Sequence, residues 1–217
     1  MFTRETIDDG FVIETERLLL RWPRLADGAA IERLAGDRAV AEMTALIPHP
    51  YPSGAAAAFI LAARLANAGG AGLTLAIINR RKPRELLGAI ALHETPSGAA
   101  VAEQLAEPFL GFWLGSDHWG RGLATEAARA MVAAAFEHAD APAVTAEARS
   151  SNGASRHVLE KAGFRTYGTA LSLFPARGGL FPVHRMRLTR KGWLALRRGQ
   201  ADEAPKDALR VQPEMAG

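Results

Sequence analysis

The sequence predicts an α/β (α+β) fold, a mixed and mostly antiparallel central sheet flanked by helices. Three observations predict it. Strand-length apolar runs and helical stripes interleave along the chain in the order β-α-α-β-β-β-α-β-α-β-β. Runs at hairpin spacing, 72–80 with 86–94 and 165–174 with 181–189, require antiparallel neighbours. Between them, a β-α-β run over 109–149 requires helices packed on the sheet.

The elements follow in order. "FVIETERLLLR" (11–21) reads as an opening strand that ends near Pro23. Asp27 is placed to cap a short helix that Gly36 stops, and helical turns continue over 38–47. After the break "PHPYPSG", Ser53 is the expected N-cap of a helix that ends at the glycine pair 69–70. "GLTLAIINR" and "LLGAIALHE" form the first hairpin, and "FLGFWLG" (109–115) reads as a strand buried on both faces. From Leu123 to about His138, Ala124, Ala128, Met131, Val132, Ala135 and Phe136 make one apolar helical stripe. "AVTAEAR" (143–149) alternates as a strand, and Ala154–Lys161 makes a helix stopped by Gly163. Residues 1–198 are read as one domain and 199–217 as a disordered tail, because the chain turns polar and aperiodic after Trp193.

Composition narrows the function classes. The chain has 217 residues, 48% hydrophobic and 23% charged, as expected of an ordinary globular protein. No run approaches a membrane span, and the polar start "MFTRETIDDG" lacks a secretory pattern. With no cysteine, thiolate catalysis and cysteine-held metals are excluded, and a reducing cytoplasmic location is the expectation. The six histidines show no ligand spacing, so no metal is expected. A net charge of +3 without a basic block gives no sign of direct nucleic-acid binding. Monomer and homodimer both remain open.

The most informative stretch is "HWGRGLATEA" (118–127), a glycine bend that carries Arg121 and leads from an apolar strand into a helix. A helix start has four N–H groups without intrahelical partners and the positive end of a dipole. Glycines let the backbone approach a ligand closely, so the bend is a candidate anion site, with phosphate the usual anion. The dinucleotide fingerprint fails, because Thr125 stands where its third glycine belongs. The mononucleotide loop fails as well, because the chain has no Gly-Lys pair.

"LGFWLGSDHWGRGLATEAARAMVAAAF" and "NGASRHVLEKAGF" together resemble the GNAT family of N-acetyltransferases, in particular the branch of ribosomal-protein N-terminal (alanine/serine) acetyltransferases. "TERLLLR" and "HRMRLTRKGW" are similar to that branch's first and last strands, so the likeness covers about 14–194. The resemblance implies acetyl-CoA as co-substrate and a splayed central strand pair that receives it. The family's pyrophosphate signature falls on Trp119, Gly120, Arg121, Gly122, Leu123 and Ala124, with Thr125 beside it; Trp119 departs from the usual Gln or Arg. Pantetheine is expected along the backbone of Phe112, Trp113 and Leu114. The second motif supplies Asn152, at a cofactor-contacting position, and Ser155. Many members have a tyrosine where this chain has Leu159, and leucine donates no proton. Ser155, one turn earlier on the same helix face, is then the candidate donor to the leaving thiolate, with water as the alternative.

The implied chemistry is direct acyl transfer to a neutral amine. An α-amine titrates near ~7.7–8 and a lysine near ~10.4, so the former needs less help from a base. Glu94 and His93, at the end of a central strand, are the base candidates, and Glu103 is a weaker one. Positioning alone can contribute ~7–11 kcal/mol. Three readings stand: acetylation of a protein or peptide N-terminus, acetylation of a small amine, or a non-catalytic CoA-binding module. Segments 45–54 and 174–182 are the expected walls of the acceptor site.

Overall fold

The computed structural model of the chain describes residues 6–94 and 107–203. Eight strands form one sheet: β1 (Val12–Glu14), β2 (Leu18–Arg21), β3 (Gly72–Asn79), β4 (Leu86–Glu94), β5 (Pro108–Leu114), β6 (Ala143–Arg149), β7 (Arg165–Phe174) and β8 (Gly179–Thr189). Their spatial order is β1-β2-β3-β4-β5-β6-β8-β7. Every neighbouring pair is antiparallel except β5–β6, which is parallel. Six α-helices accompany them: α1 (Gly28–Ala35), α2 (Arg38–Glu42), α3 (Ala55–Ala68), α4 (Leu123–His138), α5 (Gly153–Lys161) and α6 (Arg190–Glu203).

Both faces of the central strands are covered, which explains their continuous apolar sequences. Along β3, Leu73, Leu75 and Ile77 join the core beneath α4, while Ala76 and Ile78 join a second cluster with Ile31 and Leu34 of α1 and Ile60 of α3. A two-residue period separates the faces. Close packing also needs Gly88 in β4, where an added Cβ would lie 2.1 Å from the Trp113 carbonyl oxygen on β5.

Several expectations change. The segment 11–21 is a hairpin, with β1 and β2 joined through Thr15–Arg17, because those polar residues bond to the first turn of α4. Gly54, at φ +78°, takes the cap position expected of Ser53. Asp27 does precede α1, but its carboxylate bonds the Arg21 guanidinium and the Arg24 N–H instead of capping the helix. Strand β5 is not buried on both faces throughout: Pro108, Leu110 and Leu114 are buried, whereas Phe109, Gly111, Phe112 and Trp113 are half-buried. Its flank towards β6 opens, and this removes cover. Helix α6 contains Trp193 and takes in residues 199–203 of the expected tail; its polar composition gives little helical signal in the sequence. It is anchored by Trp193 packing on Phe136 at 5.0 Å and by Arg197 pairing with Glu137 at 2.7 Å. Residues 204–217 of the expected tail lie outside the described residues.

Gly88→Ala should force β4 and β5 apart and lower the melting temperature by at least several degrees, an effect readable by calorimetry.

Candidate active site

The sheet opens between β5 and β6. These strands share one residue pair, Phe109 with Thr145, whereas β4–β5 and β6–β8 each share seven. Beyond Phe109, the β5 backbone groups facing β6 have no strand partner. Side chains alternate across this opening: Phe112 packs towards the α4 core and Trp113 towards the α1–α3 cluster. The Leu114 carbonyl accepts from Trp119 Nε1 at 2.8 Å, which folds the half-exposed Trp119 ring back onto the strand end.

The bend begins there. Gly120 and Gly122 have φ +73° and +75°, values that favour glycine, and Gly122 immediately precedes α4 without a side-chain cap. An added Cβ on Gly120 would meet nothing within 4 Å, so the outer side of the bend is open space. The N–H groups of Leu123, Ala124 and Thr125 cannot bond within the helix, and Gly122 N–H makes no hydrogen bond among the described residues. The sequence therefore builds a cradle of free N–H donors, a candidate anion site, with Arg121 exposed beside it.

A clamp from the β1–β2 turn holds this cradle, and sequence reasoning missed it. Arg17 donates from Nη1 to the Arg121 carbonyl at 2.9 Å and from Nε to Glu126 Oε2 at 2.7 Å. The Arg17 N–H and Thr15 Oγ1 donate to Glu126 Oε1 at 2.8 and 2.6 Å. A trans peptide points its N–H opposite to its C=O, so tethering the Arg121 carbonyl turns the Gly122 N–H away from Arg17. The polar "TER" inside an apolar strand run was the available signal.

Partial burial disfavours the charged form of Glu126, but hydrogen bonds from Thr15 and Arg17 and the Arg17 charge outweigh it, so its carboxyl lies below the ordinary 4.5. A depressed folded value means the clamp stabilises the protein above the unfolded pKa and loses that contribution as pH falls through the folded one.

The second motif stands at the open end of the splay. Asn152 accepts from the Ser155 N–H through Oδ1 at 3.0 Å, so its side chain caps α5. Ser155 is half-buried and its hydroxyl has no hydrogen bond among the described residues. Leu159 is 0% exposed and belongs to the core.

The base candidates sit elsewhere. His93 lies flat on Phe109, with ring centroids 5.1 Å apart, at the last point where β5 and β6 pair. Glu94 lies opposite Pro108, one residue further towards the closed end, and Glu103 lies outside the described residues. Sequence reasoning overlooked Glu147. It stands on β6 two residues past Thr145, on the α1–α3 face, and accepts from Ser172 Oγ at 2.6 Å and Arg185 Nε at 3.2 Å. Its only sequence signal was a charge within a short alternating strand.

The expected acceptor walls meet each other. The Ala176 N–H donates to the Ala45 carbonyl at 3.0 Å, and Arg177 Nη2 donates to the Ile47 carbonyl at 2.5 Å. Beside them Arg149 Nη1 donates to the Glu42 carbonyl at 2.9 Å, and the Arg149 guanidinium lies 4.2 Å from the Phe181 ring centre. A separate cavity of about 860 Å³ lies between β1 and α4 and adjoins the cradle at Gly122 and Thr125. Among the described residues, no group of three or more metal-ligating side chains occurs, and no helix is long and apolar enough to cross a membrane.

The site is thus a divergent strand pair that leads into an uncapped helix N-terminus, and comparison with known proteins gives its family. The acetyltransferase (GNAT) domain model matches residues 17–165, and the chain belongs to that family. It is 36% identical over 85 residues to a probable N-acetyltransferase, YjcK, of Bacillus subtilis, a stretch covering 39% of this chain and 44% of that protein. Under half of that curated relative's length is thus spanned. Mycobacterium smegmatis RimJ, in complex with CoA-disulfide, superposes with a TM-score of 0.68 at 21% identity, over 84% of this chain and 89% of that one. A Vibrio cholerae spermidine N-acetyltransferase, in complex with CoA and spermine, gives 0.65 at 18%, over 83% and 99%. These structures share the mixed, mostly antiparallel sheet flanked by helices.

Glu126→Gln should remove part of the acid-side loss of stability, flattening the melting temperature below about pH 4.5 relative to the unmodified protein. Matching curves for the two proteins would contradict the clamp.

Proposed function

We propose that the protein is an acetyl-CoA-dependent N-acetyltransferase. The observation that carries this reading is the splay after Phe109, which leads directly into a bend with unpartnered amides. Those features fit CoA: Gly122 to Thr125 offer N–H groups to its pyrophosphate, Arg121 adds charge, and the free β5 edge offers backbone groups to the pantetheine amides. Acetyl-CoA supplies a thioester whose acyl carbon is attacked by the acceptor amine.

The protein's part is positioning and proton movement. Backbone along Phe112–Leu114 orients the acyl group and polarises its carbonyl. A base takes the proton that the amine loses on forming the C–N bond. Glu147 is favoured over His93 and Glu94, because it lies within the open part of the splay and the other two lie at its closed end. Ser155 Oγ–H gives a proton to the sulfur as the C–S bond breaks, since its hydroxyl is uncommitted and Leu159 has none to give.

The contacts between 42–47 and 174–181 support end-on entry of the amine, as with a protein or peptide N-terminus or a small free amine. They argue against a chain threading past the thioester. An α-amine also meets the lower demand on the base.

Purified protein, acetyl-CoA and a panel of peptides and small amines, followed by free-thiol release, test this. Turnover with at least one acceptor is expected. CoA binding with no turnover anywhere would favour a binding module instead. Gly122→Val, strained at φ +75°, should abolish the calorimetric heat of CoA binding. Glu147→Gln and Ser155→Ala should each lower kcat about 10²-fold or more with CoA affinity kept, while His93→Ala should cost less.

A further inference from the structure

Four arginines stand on or beside the α1–α3 face of the opening, and they are not equivalent. Arg185 is paired with Glu147, and Arg187 with Glu107. Arg149 and Arg177 have no ion pair among the described residues. Each guanidinium carries five N–H donors. Arg149 commits Nη1 to the Glu42 carbonyl and lays its plane over Phe181. Arg177 commits Nη2 to the Ile47 carbonyl, and its Nε is buried with no hydrogen-bond partner among the described residues. Buried N–H groups are nearly always satisfied, so an orphan on a charged group beside a reaction site points to a missing acceptor. The nearby carboxylate is already engaged: Glu42 bonds Arg38 at 2.7 Å, and that hydrogen bond and charge hold its carboxyl low, with smaller effects from Arg177 and His49.

The register sets the spacing. Thr145, Glu147 and Arg149 point to one face of β6, and two residues of strand span about 6–7 Å. Glu147 lies deeper in the opening and Arg149 at its mouth, level with Trp113 if the parallel register of Phe109 and Thr145 is carried forward. Arg177 is tied to the same α2 region: it holds the Ile47 carbonyl and its charge acts on Glu42, whose carbonyl Arg149 holds.

Resting on the acetyltransferase reading, we infer that Arg149 and Arg177 form a subsite for an anionic group on the acceptor, so that the preferred substrate is a primary amine with an acidic group a few bonds away. The amine lies towards Glu147 and the acid towards the two guanidinium groups, which take it by charge-assisted hydrogen bonds. A peptide beginning with an acidic residue and a small amino acid share this chemistry.

Matched acceptors test it. N-terminal aspartyl and asparaginyl dipeptide amides form one pair, β-alanine and β-alaninamide the other, and ethylenediamine is the cationic control. Thiol release with acetyl-CoA should show the acidic member of at least one pair preferred in kcat/KM by about tenfold or more. Whichever pair shows the effect identifies the source, peptide or small molecule. In Arg149→Met and Arg177→Met the acid-to-amide ratio should fall towards one; a ratio within one variant is insensitive to how much of it folds. Equal rates for acid and amide in the unmodified protein, or a preference that survives both substitutions, would overturn the subsite. If no amine is turned over, the catalytic reading fails separately. Calorimetry of the same pairs on the CoA-loaded protein then decides: tighter binding of the acid that either substitution removes supports the subsite, and equal or no binding rejects it.

Discussion

Between β5 and β6 the sheet is held by one pair, Phe109 with Thr145, and then parts. That divergence has a cost, since backbone groups in the middle of a sheet are left without strand partners. The flanks on either side are fully paired, with seven residues each in β4–β5 and β6–β8, so the gap cannot close by slipping one strand. Gly88 reinforces this by letting the Trp113–Leu114 backbone approach β4 closely. The opening is therefore held by its paired flanks, and its edge carries backbone groups that no strand satisfies.

The cradle at the end of β5 depends on a contact from the far end of the sequence. Thr15 and Arg17 reach Glu126 and the Arg121 carbonyl across more than a hundred residues. A carboxylate one turn into α4 would oppose an anion at its N-terminus, and Arg17 neutralises it in place. The same contact breaks the first strand into a hairpin, so one set of hydrogen bonds accounts for both a misread element and the shape of the site.

Most of the fold was legible because its periodicities are strong. The limits of α4 and β6 coincide with those read from apolar spacing, and the alternative phosphate loops were excludable by Thr125 and the missing Gly-Lys pair. What escaped was non-local. Ser53 looked like a cap until the chain placed Gly54 in the left-handed region. Helix α6 has a polar sequence and depends on Trp193 finding Phe136. Strand register sets Glu147 inside the opening, whereas His93 and Glu94, which end a strand conspicuously in sequence, lie at its closed end. Sequence spacing identifies which residues share a face of an element, but it does not reveal where two strands diverge.

Leu159 and Ser155 share a helix face but have different surroundings. It is 0% exposed, locked among core residues beneath α5, and a side chain there long enough to reach the open end would have to leave the core. Ser155 lies four residues earlier on the same face, half-buried, with its N–H bound by Asn152 and its hydroxyl uncommitted. Capping fixes the first turn of α5 and so fixes the position of that hydroxyl. Leu159 thus packs the helix onto the sheet, while Ser155 keeps an uncommitted hydroxyl on the first turn of α5. Asn152 holds this arrangement, because without its cap the Ser155 hydroxyl would move with a fraying helix end.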